Sequence, residues 1–266
     1  MEARKAIGVF DSGIGGLTVV HELTRSLPHE EIIYLGDTAR LPYGTKSPET
    51  VLRFSRKNLD FLKHKQVKLI VVACNTASSV ALPRLQEEEE LPVIGVLMPG
   101  ARAAALVTKT KRVGVIGTTA TIHSSAYVKA LQGITPDLEI WTQPCPLFVP
   151  LVEEGWLDDP ITELATKRYL EPLAEFGADA LVLGCTHYPL LKDIISRVVG
   201  PEVVLVDSAR ETAAEVMNVL EERGLTNDRG GTGRITVYVT DIPYRFKEVG
   251  ERFLRRPLEH VEHVEL

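Results

Sequence analysis

The pattern of apolar and polar positions along the chain alternates between buried strands and amphipathic helices. Runs of aliphatic residues are followed by segments with apolar residues at helical spacing, such as the helix predicted from Leu17 to Leu27. The predicted strands are residues 6–10, 31–36, 69–73, 92–96, 112–117, 139–142, 180–184, 203–207 and 235–240. Such alternation with short connections predicts an α/β fold with parallel sheets.

The alternation restarts after Met98, and the second half repeats the order of the first. One buried strand ends at Cys74, and its counterpart ends at Cys185. We therefore predict two similar parallel-sheet α/β units that face each other across a cleft. Ligands of open α/β sheets bind beyond the carboxyl ends of the strands. The reactive side chains predicted at such ends are Asp11, Asp37, Cys74, Cys185 and Asp207.

Composition and charge exclude several classes of protein. The net charge is −6 without a basic stripe, which disfavours nucleic acid as a main partner. Three cysteines without a Cys-x-x-Cys or His-Glu-x-x-His motif give little support to a disulfide framework or a metal site. No apolar run approaches the roughly 20 residues that span a bilayer, and the N-terminus lacks the apolar region of a signal peptide. We therefore expect a cytoplasmic protein that does not bind membranes.

A glycine-rich loop follows the first strand, but its spacing does not fit a dinucleotide site. The Gly-x-Gly-x-x-Gly fingerprint would begin at Gly13 and needs a glycine where Thr18 stands. Asp11, directly before the loop, would also repel a pyrophosphate. Asp37 could still imitate the acid that binds a ribose.

The two strand-end cysteines suggest proton transfer. Free cysteine is often a core residue, but Cys74 and Cys185 both precede a predicted helix N-terminus, which favours a thiolate. Cys145 lies between two prolines and is interpreted as structural. One thiolate with a base would suggest covalent catalysis. Two equivalent thiols across a cleft can instead remove a proton from one face of a carbon and deliver one to the other.

Polar side chains near the cysteines complete the predicted site. Asp11 and His187 are placed to support the two thiols, one each. Hydroxyl and amide groups that could bind a carboxylate, or simply cap helices, are Ser12, Asn75, Thr76, Thr118, Thr121 and Thr186. The turn at Tyr43-Gly44 is interpreted either as a loop that closes over a small ligand or as an ordinary turn.

Four motifs together resemble the glutamate racemases of the aspartate/glutamate racemase family. They are Asp11 to Gly16, Pro42-Tyr43-Gly44, Ala73 to Ala77 and Gly184 to Pro189. The resemblance covers the whole chain. It implies a cofactor-independent isomerase that supplies D-glutamate for peptidoglycan. It also implies two domains related by pseudo-symmetry, residues 1–98 plus 209–266 and residues 99–208, with the active site between them.

The resemblance also implies roles for individual residues. Cys74 would take the α-proton of D-glutamate and Cys185 that of L-glutamate, with Asp11 and His187 as their supports. Glu153 would be a further catalytic acid and Asp37 a supporting one. The substrate-binding positions it implies are Asp11, Ser12, Pro42, Tyr43, Gly44, Asn75, Thr76, Thr118, Thr121, Thr186 and His187. Other functions left open are a racemase of a related acid such as aspartate, a non-catalytic small-acid binding protein, and a hydrolase or transferase with one cysteine nucleophile. A homodimer is also left open.

Overall fold

The chain folds around two parallel sheets in a computed structural model that describes residues 2–228 and 230–266. The strands are β1 (Ile7–Asp11), β2 (Ile32–Gly36), β3 (Leu69–Val72), β4 (Val93–Gly95), β5 (Arg112–Gly117), β6 (Glu139–Pro144), β7 (Ala180–Gly184), β8 (Val204–Asp207), β9 (Ile235–Val239) and β10 (Val261–His263). The first sheet has the order β10-β9-β2-β1-β3-β4 and the second β6-β5-β7-β8, with every pairing parallel. The predicted fold class, two parallel-sheet α/β units, is confirmed.

Helices cover the faces of both sheets. They are α1 (Leu17–Ser26), α2 (Pro48–His64), α3 (Asn75–Val80), α4 (Leu82–Glu88), α5 (Leu97–Val107), α6 (Thr119–His123), α7 (Ala126–Ile134), α8 (Phe148–Glu153), α9 (Pro160–Phe176), α10 (Lys192–Val199), α11 (Ser208–Glu222) and α12 (Pro243–Leu254). Short 3-10 turns lie at 2–4, 38–40, 43–45 and 188–191. The central strands β1, β3, β5 and β7 are apolar almost throughout and buried, as expected of parallel strands covered on both faces.

The two sheets place equivalent strands side by side. In the first, β3 pairs with β1, with Val71 opposite Val9. In the second, β7 pairs with β5, with Val182 opposite Val115. Cys74 and Cys185 follow β3 and β7 by two residues and one residue, respectively. The repeated order read from the sequence therefore corresponds to a repeated strand pairing.

Helices α5 and α11 connect the two sheets. The chain leaves the first sheet through α5 and returns to it through α11, and these two helices contact each other. After α11, β9 joins β2 in the first sheet, with Tyr238 opposite Leu35. The domain boundaries at 98/99 and 208/209 stay a prediction. Within the described residues, no helix is both long enough and apolar enough to cross a bilayer.

Several elements differ from those that the sequence pattern predicts. Residues 75–86 are predicted as one helix, but they form α3 and α4, because Pro83 lacks an N–H and its ring disfavours a continuous helix. The sequence after Met98-Pro99-Gly100 predicts a helix from Ala101, whereas α5 begins at Leu97, since Pro99 is tolerated in a first turn. Residues 261–263 form β10 on the edge of the first sheet, a strand that the sequence pattern does not predict, and Glu262 and His263 on it are exposed.

Candidate active site

A cavity of about 350 Å³ lies between the carboxyl ends of the two sheets. Both halves of the chain line it, and both strand-end cysteines are at its wall. The lining residues are Ser12, Gly13, Leu41, Pro42, Tyr43, Gly44, Thr45, Cys74, Asn75, Thr76, Thr118, Thr119, Pro146, Val149, Pro150, Glu153, Cys185, Thr186 and His187. A larger groove of about 910 Å³ runs along α9, but its lining holds no cysteine or histidine. The chemistry predicted from the sequence therefore converges on the smaller cavity.

Cys74 occupies an environment that favours a neutral thiol. It precedes α3, is 5% exposed, and its Sγ lies 3.7 Å from the Ser12 Oγ. Burial and the nearby Asp11 carboxylate raise the pKa of the Cys74 thiol to about 12, although hydrogen bonds from Ala77 and Ser12 oppose them. At neutral pH, this sulfur therefore carries a proton.

Cys185 has a different set of neighbours. Its Sγ lies 3.9 Å from the His187 Nδ1, and the His187 Nε2 lies 3.0 Å from the Glu153 Oε1. Burial lowers the pKa of His187, but its hydrogen bonds to Cys185 and Glu153 outweigh burial and raise that pKa to about 10. His187 is therefore a buried cation at neutral pH, and its positive charge lies next to the Cys185 sulfur.

Asp11 contacts the backbone of the glycine loop and does not line the cavity itself. It is fully buried, and its Oδ2 accepts a hydrogen bond from the Gly13 amide at 3.0 Å. Its Oδ1 has no hydrogen-bond partner among residues 2–228 and 230–266. Burial raises the pKa of Asp11, while the positive charge of His187 opposes that rise. The Asp11 carboxyl group is therefore easier to protonate than an exposed aspartate.

The glycine loop serves close contact between the two halves. A Cβ at Gly15 would lie 2.2 Å from the Thr186 Oγ1 and 2.5 Å from the His187 Nδ1. The loop backbone therefore rests directly against the second half, and a side chain at position 15 would displace His187. Tyr34 fixes the same loop through a hydrogen bond to the Gly13 carbonyl at 2.9 Å. This contact explains the glycines without a nucleotide.

Threonines join the two halves at another wall of the cavity. The Thr76 Oγ1 lies 2.9 Å from the Thr118 Oγ1 and 3.3 Å from the Thr121 Oγ1. The Thr118 hydroxyl also caps α6 by accepting from the Thr121 amide. Asn75, at the start of α3, has a buried Nδ2 with no partner among the described residues. These hydroxyl and amide groups suit the binding of a carboxylate.

The loop around Tyr43 forms the outer wall on the first half. The Tyr43 hydroxyl donates to the Asp37 Oδ2 and accepts from the Asn58 Nδ2, so its ring is fixed inside the protein. Gly44 rests on the second half, since a Cβ there would lie 2.7 Å from the Thr118 Cβ. Asp37 also accepts from Arg40 and Thr240. Asp37 thus acts on the loop and not at the cavity itself.

Most of the predicted site residues come together at this cavity. Four of them do not line it. Asp11, Asp37 and Thr121 each hydrogen bond to a residue that does, whereas Asp207 caps α11 and pairs with Lys192. The prediction missed the apolar part of the wall, including Leu41, Pro146 and Val149. The sequence predicts a loop at residues 145–150, whereas residues 148–150 begin α8, which carries Val149 and Glu153 one turn apart. Val149 lies four residues before Glu153 and therefore on the same helix face, and this spacing could have identified it as a cavity residue.

The described part of the chain offers no cluster of three or more His, Cys, Asp or Glu side chains with the geometry to hold a metal ion. All three cysteines are free and buried. Cys145 is buried in the hydrophobic core rather than at the cavity wall, in agreement with its interpretation as structural.

Known proteins resemble this chain over its full length. The model of the Asp/Glu/Hydantoin racemase family matches residues 8–216. A glutamate racemase of Geobacter metallireducens is 55% identical over 262 residues, which cover 98% of this chain and 97% of the relative. Glutamate racemase RacE1 of Bacillus anthracis superposes with a TM-score of 0.95 at 42% identity, covering 98% of each chain.

A solved complex relates this fold to a ligand. The glutamate racemase of Francisella tularensis in complex with D-glutamate superposes with a TM-score of 0.93 at 42% identity, covering 99% of this chain and 98% of that one. Identity at this level over the full length, together with two cysteines facing one cavity, leaves no ambiguity about the family. The chain belongs to the Asp/Glu/Hydantoin racemase family, among the glutamate racemases.

Proposed function

We propose that the chain interconverts L-glutamate and D-glutamate by proton transfer between two thiols and the substrate Cα. One observation carries the mechanism: two buried cysteines, one from each sheet, line the same 350 Å³ cavity. A cavity of this size suits an amino acid. Thiols on two walls give the α-carbon one group that removes a proton and another that delivers one.

The different neighbours of the thiols support a division of labour. Burial and Asp11 keep a proton on Cys74, which suits it to deliver a proton. The cationic His187 lies 3.9 Å from the Cys185 sulfur, and Cys185 is assigned the removal of the α-proton of L-glutamate. In the reverse direction Cys74 is the base and Cys185 the acid. Each turnover then leaves the two protons exchanged, and Asp11 and His187 are placed to restore them.

Substrate binding is proposed for the polar groups of the cavity wall. Ser12, Asn75 and Thr76 from the first half, and Thr118 and Thr186 from the second, offer hydroxyl and amide donors to the carboxylates. Tyr43 and Gly44 would close the cavity through their backbone, because the Tyr43 hydroxyl is engaged with Asp37 and Asn58. His187 adds a positive charge that attracts an acidic substrate.

The physiological role is proposed from the resemblance to the family. D-glutamate made by the chain would supply peptidoglycan synthesis in the cytoplasm. A homodimer stays a prediction.

The direct test is a racemisation assay of the purified protein without added cofactor. L-glutamate, D-glutamate and both enantiomers of aspartate are each followed by circular dichroism, and the expected result is rapid racemisation of glutamate alone. In D2O, α-deuterium is expected to enter both enantiomers of glutamate. Glutamate binding by calorimetry without any change in optical activity would instead identify a binding protein. A covalent acyl-enzyme on Cys185 in mass spectra would identify a nucleophilic enzyme.

A further inference from the structure

A buried tyrosine from the second half contacts the candidate site without lining it. Tyr127, on α7, is 2% exposed, and its hydroxyl lies 2.6 Å from the Oδ1 of Asn75, which is also 2% exposed. Asn75 belongs to the first half and lines the cavity. The short distance and complete burial make this hydrogen bond a fixed feature of the contact between the two halves.

The hydrogen bond determines which end of the Asn75 amide is free. A phenol with one proton either donates to Oδ1 or, with the amide reversed, accepts from Nδ2. Burial keeps Tyr127 neutral by raising its pKa, so the phenol keeps its proton. The Tyr127 hydroxyl donates that proton to the Asn75 Oδ1. The amide NH2 is then the end left without a protein partner.

The NH2 group of Asn75 is a hydrogen-bond donor without a protein acceptor. Its Nδ2 is buried and has no hydrogen-bond partner among residues 2–228 and 230–266. A buried donor without an acceptor is unfavourable, so an arriving carboxylate oxygen that accepts from it gains a hydrogen bond that water does not replace. The same amide turned the other way would present its oxygen and repel the carboxylate.

We propose that Tyr127 is a positioning residue, which fixes the Asn75 amide with its NH2 group toward the cavity so that it donates to a substrate carboxylate. This inference rests on the proposed function, since it takes an amino acid with a free carboxylate as the ligand. Tyr127 acts through Asn75 and does not touch the substrate.

The position of Tyr127 also ties substrate binding to the approach of the two halves. A Cβ at Gly100, on the connecting helix α5, would lie 3.4 Å from the Tyr127 hydroxyl and 3.0 Å from the Ser208 Cβ. Ser208 begins the other connecting helix, α11. The Tyr127 hydroxyl therefore lies close to the connecting helices and bonds from there to the Asn75 amide of the cavity wall. The amide has its binding orientation only when this contact is formed.

The test is a double-mutant cycle with Tyr127→Phe and Asn75→Ala. Tyr127→Phe removes one hydroxyl group and leaves the ring in place. We expect the KM for both enantiomers of glutamate, and the calorimetric Kd for D-glutamate, to rise about tenfold, as for the loss of one well-oriented hydrogen bond. The kcat should change less than twofold. In the Asn75→Ala background, Tyr127→Phe should have no further effect on the KM or the Kd.

The matched control is Tyr238→Phe, which also removes the hydroxyl group of a buried tyrosine with one side-chain partner, Lys65, but on β9, next to the edge strand of the first sheet. Its KM and Kd should stay at the unsubstituted values, and melting temperatures report whether any variant is destabilised. Equal effects of Tyr127→Phe with and without Asn75, or no effect on the Kd, would overturn the inference. The Kd measurement decides this even if the unsubstituted protein fails to racemise glutamate, an outcome that would overturn the proposed function instead. Absence of glutamate binding would overturn both.

Discussion

The surroundings of Cys74 and Cys185 share a backbone plan and differ in side chains. Cys74 follows β3, which pairs with β1, and Cys185 follows β7, which pairs with β5. The two cysteines are 5% and 6% exposed, respectively. Cys74 faces a buried carboxyl group, whereas Cys185 faces an imidazolium held by Glu153. Repetition of the fold therefore places the two thiols, and the side chains beside them give each thiol a different electrostatic environment. Unlike surroundings suit a reaction in which one thiol gives a proton while the other takes one.

The rates of the two reaction directions are nevertheless linked by thermodynamics. L-glutamate and D-glutamate have equal free energies in water, so the values of kcat/KM for the two directions must be equal in any variant. A substitution near one cysteine therefore lowers both values together. The difference between the two thiols has to be measured by isotope exchange and by isotope effects, which follow each proton separately.

Replacement of either thiol is expected to have the largest effect. Cys74→Ser and Cys185→Ser should each lower kcat/KM for racemisation by at least about 10³-fold, because a serine hydroxyl is a poor general base. In D2O, Cys74→Ser should still exchange the α-proton of L-glutamate slowly without inversion, since Cys185 is intact. Cys185→Ser should do the same with D-glutamate alone. Proton NMR of each enantiomer measures this exchange.

The control for these variants is Cys145→Ser, which alters a buried cysteine of the core that does not line the cavity. It should keep racemisation within a few-fold of the unsubstituted protein. Full racemisation by either of the two site variants would contradict the two-thiol mechanism. Exchange of both enantiomers by one single variant would show that the thiols do not face opposite sides of Cα.

Removal of the unlike neighbours is expected to have the next largest effect. Asp11→Asn and His187→Asn should each lower kcat/KM by about 10²-fold, in keeping with the loss of a group that assists proton transfer. The primary isotope effect should increase most with α-deuterated D-glutamate in Asp11→Asn and with α-deuterated L-glutamate in His187→Asn. His21→Asn, which changes a histidine bonded to the Leu254 carbonyl away from the cavity, is the control. Equal isotope effects with both enantiomers would contradict the assigned pairs.

The sequence predicted the fold and the two thiols, but not the side-chain contacts between distant elements around them. Strand runs that end in Cys74 and Cys185 are local patterns, so the fold and the two thiols could be read directly. The bond between His187 and Glu153 joins residues of different elements, and the start of α8, residues 148–150, was predicted as a loop. The contact of Tyr127 with Asn75 spans the two halves. Such contacts depend on how the two sheets meet, and no local periodicity encodes that.

Glu153→Gln is expected to move the pH dependence of the Cys185 side. The pKa of His187 is raised from 6.5 to about 10, so its charged form stabilises the fold fully below pH 6.5, and this stabilisation is lost as the pH rises toward 10. Without the Glu153 carboxylate, the pKa of His187 should fall by about one to two units, since a hydrogen bond to a charged group contributes about 1.5–3 kcal/mol. The pH above which kcat/KM declines should therefore fall by the same amount as the pKa of His187.

A neighbouring acid provides the comparison for Glu153→Gln. Glu154 is exposed and pairs with Arg245 on the surface, so Glu154→Gln should leave both the rate and the alkaline limb unchanged. NMR titration of the His187 ring gives its pKa directly in each variant. An unchanged pKa in Glu153→Gln would mean that Cys185 alone holds the charge on His187.

The smallest effect is expected at the outer wall, where the two halves differ again. The first half closes the cavity with a loop held by side-chain hydrogen bonds through Asp37, and the second closes it with α8, held by the buried Phe148 and Val152. Asp37→Asn weakens the bonds to Tyr43 and Arg40 but touches neither thiol. We expect the KM for glutamate to rise about threefold with little change in kcat, and the free energy of unfolding to fall by about 1–3 kcal/mol. Asp60→Asn, on the exposed face of α2, should alter neither quantity. A drop in kcat as large as that of Asp11→Asn would instead assign Asp37 to the chemistry, because a wall that only confines the substrate affects its binding and not the proton transfer.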